Sequence, residues 1–190
     1  MAQLLAGLVL FLGIHSLSVV APATRDRWAE RLGVATWKGL YAVLSLASFV
    51  LLLHGYGLAR HVSGVLYVPP SWLRSTALIV MLPVFPLALA AYLPGRIQTA
   101  VRHPLLAATK AWAVAHLLAN GTLADVLLFG GFLVWAITDR VSLERRAPRP
   151  IATAPPARWN DAIAVVLGLT LYAAFLAGLH RALIGVSPLG

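Results

Sequence analysis

The chain has 190 residues, of which 60% are hydrophobic and 11% charged, and its mean hydropathy is +0.84. Soluble domains carry roughly twice that charged fraction, so the composition is that of a membrane protein. Lys and Arg exceed Asp and Glu by 15 to 6, but the basic residues lie between apolar runs and indicate membrane orientation rather than nucleic-acid binding. Cysteine is absent, which excludes disulfides, thiolate metal sites and iron–sulfur clusters and leaves histidine as the principal candidate metal ligand.

Apolar runs that approach the roughly 20 helical residues needed to cross a bilayer occur six times. The predicted spans are Ala2–Ala21, Trp37–Leu58, Trp72–Leu93, Pro104–Ala119, Leu123–Thr138 and Asp161–Leu183. The fourth and fifth are short and form either two crossings or a hairpin. Pro83 and Pro86 predict a kink in the third span, and Asp139 to Asn160 reads as an Arg- and Pro-rich linker. We predict an all-α, polytopic transmembrane bundle of about six spans in one domain, 1–190.

Lysine and arginine fall unevenly on the two sides of this topology. One side carries Arg25, Arg27, Arg31, Lys38, Arg96, Arg102, Lys110, Arg140, Arg145, Arg146, Arg149 and Arg158. The other side carries only Arg60, Arg74 and Arg181. By the positive-inside rule, the loops after the first, third and fifth spans are cytoplasmic, and both termini are outside. The first span has its positive charges after the apolar stretch, so we interpret it as a retained helix rather than a signal peptide.

Two histidines are predicted to lie deep in the membrane. His15 is about 13 residues into the first span, which at 1.5 Å per residue is roughly 19 Å from the outer surface. His116 is about 12 residues into the fourth span, or roughly 18 Å from the inner surface. Two neutral imidazoles at similar depth on separate helices can hold haem b between them as axial ligands, and surrounding apolar helices would contact its hydrophobic rim.

A structural interpretation of the same pair stays open. Each imidazole can make an interhelical hydrogen bond in a core lined with Ser16, Ser45 and Ser48. A polar group without a bonding partner at bilayer depth is costly. Both a metal bond and an interhelical hydrogen bond would supply that partner. The weaker candidates, either spare ligands or solvated and structural residues, are His54, His61 and His180.

The triplet Arg102-His103-Pro104 marks the predicted cytoplasmic start of the fourth span, because proline suits the first turn of a helix. Its residues are either a helix start with interfacial anchors or, together with Lys38 and Lys110, partners of anionic groups. Such groups include haem propionates and lipid phosphates near the inner interface.

Asn120 follows His116 by four residues and therefore shares its helix face. It either orients the imidazole through a hydrogen bond or forms the turn before Gly121. Aromatic residues near the predicted span ends form an interfacial belt, namely Trp28, Trp37, Tyr41, Tyr56, Tyr67, Trp72, Tyr92, Trp135 and Trp159.

Several blocks together carry a family resemblance. They are Gly13-Ile14-His15-Ser16-Leu17, Trp37-Lys38-Gly39-Leu40-Tyr41, Leu93-Pro94-Gly95-Arg96, Arg102-His103-Pro104, Ala115-His116-Leu117-Leu118-Ala119-Asn120-Gly121 and Leu128-Phe129-Gly130. In this order they resemble the NnrU family of bacterial integral membrane proteins, nearly over the whole chain through Arg146. The resemblance implies a location in the bacterial inner membrane and, from the family's name, a link to nitrite and nitric oxide reduction in denitrifiers.

The family is similar in turn to zeta-carotene isomerase, a membrane enzyme in which ferrous haem b drives a cis-to-trans double-bond isomerisation. Its histidine ligands match His15 and His116, so the resemblance implies bis-histidine haem b. That enzyme also has a cysteine three residues before the second histidine, proposed as an alternative ligand. Ala113 stands at this position here. The ligand-switching form of the mechanism is therefore not expected, whereas bis-histidine binding is.

Three functional hypotheses follow. The first is a haem b protein: two retained axial ligands favour electron transfer or redox sensing, whereas release of one would let iron bind nitric oxide or an apolar polyene. The second is a non-haem membrane protein that binds lipid or assists assembly of respiratory enzymes. The third rests on a resemblance of Arg-His-Pro to the isoprenylcysteine methyltransferase group, where it belongs to the S-adenosylmethionine site; the Glu-rich segment that follows there is missing here.

Overall fold

The structure, a computed structural model, describes residues 1–146 and 151–189. Its helices are α1 Ala2–Val20, α2 Pro22–Leu32, α3 Val34–Val62, α4 Ser71–Met81, α5 Val84–Ala90, α6 Arg96–Val101, α7 Pro104–Ala119, α8 Leu123–Leu143, α9 Asn160–Ala174 and α10 His180–Ile184. A π-helical turn, Phe175–Leu179, joins the last two. The all-α prediction is confirmed for the part of the chain described.

Five helical stretches within the described ranges are long and apolar enough to cross a membrane. They are α1, α3, the α4–α5 stretch Ser71–Ala90, α8 and the α9–α10 stretch Asn160–Ile184. Helix α7 has 16 residues and is a shorter apolar helix. At 1.5 Å per residue it is roughly 24 Å long, less than a typical hydrocarbon core. The chain is therefore a multi-pass membrane protein, with a number of spans close to the predicted six.

The chain forms two compact units. The first unit contains residues 1–68 and 121–145, and so holds α1, α2, α3 and α8. Its α1 and α3 pack closely because Gly7 and Gly55 carry no side chain: a Cβ on Gly7 would meet the backbone of Leu52, and one on Gly55 that of Leu4. Small residues let membrane helices approach in this way.

An isolated β-bridge closes one end of the first unit. Val65 pairs antiparallel with Thr122, and the amides of Leu66 and Tyr67 donate to the carbonyl of Gly121. Gly121 lies so close to the Tyr67 carbonyl that a Cβ could not be accommodated. The loop that follows α3 is thereby attached to the start of α8.

The second unit contains residues 69–120 and 146–190, and its described helices are α4 to α7, α9 and α10. Pro83 and Pro86 interrupt the third predicted span, which divides into α4 and α5 as expected. Gly168 of α9 packs against the backbone of Pro86, so these helices also approach closely. The Tyr172 hydroxyl donates to the Leu78 carbonyl at 2.8 Å.

Three boundaries differ from the sequence-based expectation. Residues 22–32, expected to be a loop, form helix α2, because its polar surface suits an amphipathic helix rather than a span. Helix α3 continues to Val62, so His61 is helical although exposed. Helix α8 continues to Leu143, so the linker begins later than Asp139. Arg149, counted among the cytoplasmic basic residues, lies outside the described residues.

Candidate functional site

His15 lies on α1 of the first unit, one turn before the end of that helix. Its Nδ1 is 2.7 Å from the backbone carbonyl oxygen of Phe11. A carbonyl only accepts hydrogen bonds, so Nδ1 carries the proton and Nε2 holds the lone pair of the neutral ring. Within the described residues Nε2 has no hydrogen-bond partner. The imidazole is thus oriented by a hydrogen bond within its own helix, which uses Nδ1 and leaves Nε2 as the nitrogen that could accept a bond or bind a metal.

An aromatic box surrounds the His15 ring. Phe11 of α1 lies 4.2 Å away between ring centroids, Tyr41 of α3 at 5.4 Å and Trp135 of α8 at 6.1 Å. The tyrosine and tryptophan rings meet the imidazole edge-on, at 64° and 89°. We call Phe11, Tyr41 and Trp135 the aromatic box. These residues bring three helices of the first unit around one imidazole.

Trp135 has a second property that bears on this site. Its indole Nε1 is buried and has no hydrogen-bond partner within the described residues. A buried N–H without an acceptor is uncommon in native structures. The interfacial-belt interpretation is therefore incomplete for Tyr41 and Trp135, which contact His15 inside the unit.

His116 lies on α7 of the second unit, also one turn before the helix end. Its Nδ1 is 2.8 Å from the backbone carbonyl oxygen of Trp112, and the two rings are 5.1 Å apart. The same argument places the proton on Nδ1 and the lone pair on Nε2. Ala113 and Ala115 beside it are fully packed. His15 of the first unit and His116 of the second are therefore held in the same tautomer, each through the carbonyl of an aromatic residue four positions earlier.

Asn120 is the C-terminal cap of α7. Its side-chain amide donates to the backbone carbonyl of His116 at 3.0 Å, and its own backbone amide donates to the same oxygen at 2.8 Å. The backbone bond is the last i→i−4 bond of the helix, and the side-chain bond adds a second donor to the same carbonyl. They also fix the backbone on which the His116 ring is mounted.

The Arg102-His103-Pro104 triplet contains an unusual backbone turn. Arg102 has φ 62° and ψ −46°, and the amide of His103 donates to the carbonyl of Val101 at 2.7 Å. These values correspond to a γ-turn of the rare, strained type. Pro104 is the first residue of α7, as predicted. The exposed Arg102 side chain is held in a conformation that suits glycine better, which marks the triplet as a functional candidate.

The remaining basic candidates belong to different units. Lys38 lies on α3 of the first unit and is exposed, whereas Lys110 lies on α7 of the second unit and is partly buried. His103 caps the start of α7 and is partly buried. The second unit therefore brings His103, Lys110 and His116 onto one short helix.

A buried polar network in the first unit is absent from the sequence-based predictions. The Tyr56 hydroxyl of α3 donates to Asp125 Oδ1 of α8 at 2.7 Å. Asp125 Oδ2 accepts from the amide and the hydroxyl of Thr122, and the Thr122 oxygen receives the amide of Asp125 in return. Burial raises the pKa of nearby Tyr67, and the Asp125 charge raises it further. The Thr-x-x-Asp spacing is a recognisable helix-start signal, but its tyrosine partner is 69 residues away.

The weaker histidine candidates, His54, His61 and His180, do not form a common site. His54 is exposed on α3, and His61 accepts a hydrogen bond from Arg60 at 3.3 Å. His180 Nδ1 donates to the Val186 carbonyl at 2.6 Å. In residues 1–146 and 151–189, no three His, Asp or Glu side chains cluster as a metal site would require.

The helical architecture, with five stretches in the described residues that are long and apolar enough to cross a membrane, defines a polytopic membrane protein of the all-α class. The chain belongs to the NnrU family: the family model described as NnrU protein matches residues 3–188. No curated protein and no solved structure matches it.

Proposed function

We propose that the protein binds haem b in the membrane and that His15 and His116 supply its two axial ligands. The observation that carries this proposal is the shared Nδ1 hydrogen bond, to Phe11 in one unit and to Trp112 in the other. A histidine that ligates a metal usually donates its other ring N–H to a carbonyl or carboxylate. That second bond fixes the tautomer, orients the ring and increases the basicity of the ligating nitrogen.

For His15, the alternative structural role is less well supported by its contacts. A histidine that joined helices would use its ring nitrogens across the helix interface. The hydrogen bond of His15 instead lies within α1, and it leaves Nε2 without a partner in the described part of the chain. An unpaired ring nitrogen inside a membrane protein is costly unless a ligand uses it.

The surroundings of both histidines suit a flat apolar group. The aromatic box offers ring faces and edges beside His15, and Trp112 lies next to His116. For the anionic propionates we propose the basic residues near the start of α7, Arg102, His103 and Lys110, together with Lys38. Arginine and lysine form strong charge-assisted hydrogen bonds with carboxylates.

The chemistry we propose is one-electron redox rather than isomerisation. Haem b with two imidazole ligands supplies one-electron transfer or redox sensing. The chain has no cysteine, and the position three residues before His116 is the packed Ala113. No thiolate is therefore available as an alternative ligand.

For the membrane setting, we propose the bacterial inner membrane with the N-terminus outside. Helix α2 supports this orientation, since three of the arginines assigned to the cytoplasm, Arg25, Arg27 and Arg31, lie on this short polar helix directly after α1. Fusion of a reporter enzyme that is active only outside the cytoplasm tests this orientation. The reporter should be active when it is fused to either terminus.

Visible absorption of the purified, detergent-solubilised protein tests the haem proposal. The protein should be coloured, with a Soret band and about one haem per chain when produced in haem-replete cells. His15→Ala and His116→Ala should each lose most of the bound haem, because one remaining imidazole holds the iron weakly.

His54→Ala and His61→Ala are the matched controls, because both side chains are exposed and should leave the spectrum unchanged. Colourless wild-type protein with intact helical circular dichroism would contradict haem binding. Equal haem loss in the control variants would show that His15 and His116 have no special role.

A further inference from the structure

A surface groove of about 800 Å³ lies within the second unit, away from His116 in sequence. One wall is the start of α6 and the other is the segment that precedes α9. The lining residues include Arg96, Gln98, Thr99, Pro156, Ala157 and Arg158. The groove therefore combines apolar walls with two cationic side chains.

Hydrogen bonds between the two walls fix the shape of this groove. Asp161 accepts from the backbone amides of Arg96 and Ile97 at 2.8 and 3.0 Å. The Asn160 side chain donates to the Pro94 carbonyl at 2.8 Å and to the Pro155 carbonyl at 3.1 Å. Such connections between α6 and α9 hold the groove open without a ligand.

The two arginines of the groove are available for an anion. Neither Arg96 nor Arg158 has a carboxylate within 4 Å in the described part of the chain. The nearby Asp161 carboxylate is already bonded to two backbone amides. The Arg158 guanidinium lies over the Trp159 ring, 4.8 Å from its centroid, in a cation–π contact.

The groove lies where apolar helices of the second unit end. Gly168 packs on Pro86, so α9 runs antiparallel to α5, and the Asn160–Pro94 contact continues that pairing beyond the end of α5. Two exposed aromatic residues, Tyr92 and Trp159, lie next to this Asn160–Pro94 contact in the sequence, near the end of α5 and the start of α9. Aromatic residues at the ends of apolar helices mark the headgroup region of a bilayer.

We propose that this groove binds the headgroup phosphate of an anionic phospholipid, with Arg96 and Arg158 as its ligands. The charge complementarity selects an anion, and the position at the helix ends selects a lipid over a soluble molecule. The acyl chains would extend along the apolar surface of α5 and α9. This inference does not depend on haem binding.

Native mass spectrometry of the full chain in detergent measures this binding directly. Phosphatidylglycerol should bind more tightly than phosphatidylcholine. The double variant Arg96→Gln/Arg158→Gln should raise the dissociation constant for phosphatidylglycerol by about thirtyfold, since each interfacial arginine contributes a factor of about five. Binding of phosphatidylcholine should fall much less, because its choline group already compensates the charge of its phosphate.

Arg27→Gln/Arg31→Gln is the matched charge control, because both arginines are exposed on α2 and it removes the same net charge. Equal loss of phosphatidylglycerol binding in this control would overturn the proposal, since diffuse charge would then explain the binding. Unchanged binding in Arg96→Gln/Arg158→Gln would overturn it as well.

Two further measurements sharpen the test. Ala157→Trp fills the groove without a change in charge and should also weaken phosphatidylglycerol binding, whereas Ala152→Trp, outside the groove, should not. Glycerol phosphate added in equal amount should not displace the lipid. Displacement would show a site for small soluble anions and would overturn the lipid assignment.

Discussion

His15 in the first unit and His116 in the second are held by the same local contact, on helices that differ in length and packing. His15 donates from Nδ1 to Phe11, and His116 donates to Trp112, in each case four residues back along the helix. Around His15, however, α3 and α8 contribute Tyr41 and Trp135. The comparison shows that ring orientation is set by short-range sequence, whereas the walls around the ring depend on helix packing.

The helices that carry the two histidines also differ. Helix α1 has 19 residues and packs closely on α3, whereas α7 has 16 residues and ends in a cap formed by Asn120. Substitutions at the α1–α3 contact should therefore disturb the first unit strongly. In the second unit, side-chain caps and the strained turn before α7 are the more sensitive features.

The largest expected effect is the loss of the α1–α3 contact. Gly55→Leu places a side chain against the backbone of Leu4, so the helices must separate and the aromatic box around His15 opens. We expect the free energy of unfolding to fall by more than about 3 kcal/mol. This exceeds the usual cost of overpacking a core, because the added side chain meets the backbone of Leu4 rather than a flexible side chain. Thermal unfolding in detergent measures it. Gly57→Leu, where nothing lies within 4 Å of the added Cβ, should change little; equal effects would refute the packing account.

A smaller effect is expected in the second unit from Asp161→Ala. The carboxylate accepts two backbone amides at the start of α6, and its loss should cost about 2 kcal/mol, as for strong helix caps. Asp161→Asn retains one acceptor and should fall between wild type and Asp161→Ala in denaturant unfolding. An unchanged midpoint in Asp161→Ala would show that these bonds contribute nothing to stability.

Tyr56→Phe tests the buried network of the first unit. It removes one donor to Asp125 but leaves the two from Thr122, so we expect a loss of about 1 kcal/mol. Tyr92→Phe is the control, because Tyr92 is exposed. If both variants unfold at the same temperature as wild type, the Tyr56 hydroxyl has no structural role.

The smallest expected effect has the opposite sign. Arg102→Gly relieves the positive φ before α7 and should stabilise the protein by about 0.5–1 kcal/mol, whereas Arg102→Ala keeps the Cβ and should not. If Arg102 contacts an anionic group, both variants should weaken haem retention equally. A gain in stability from Arg102→Ala would show that the turn is not strained.

Much of the fold follows from the sequence because membrane helices have a simple length and polarity requirement. The apolar runs and the break at Pro83 and Pro86 correspond to observed helices. Helix α2 was missed because six of its 11 residues are polar or charged, so that it has no apolar run, only an amphipathic surface. Its sequence signal was Pro22 at the first helical position, with Trp28 among charged residues.

The candidate site was likewise predictable from the sequence only in part. Helix geometry predicts that the carbonyls of Phe11 and Trp112 lie near His15 and His116, because residues four apart share a helix face. The positions of Tyr41 and Trp135 required tertiary contacts, so their sequence pattern indicated only an interfacial belt. The Tyr56–Asp125 bond likewise joins residues far apart in the chain.

Electron paramagnetic resonance of the ferric protein tests the central claim, that His15 and His116 ligate one haem iron. The wild type should give a low-spin signal typical of two imidazole ligands. The haem that remains in His15→Gly and His116→Gly should be high-spin, and added imidazole should increase haem retention and restore the low-spin signal in both. High-spin iron in the wild type, or a low-spin signal that survives both single substitutions, would contradict the assignment.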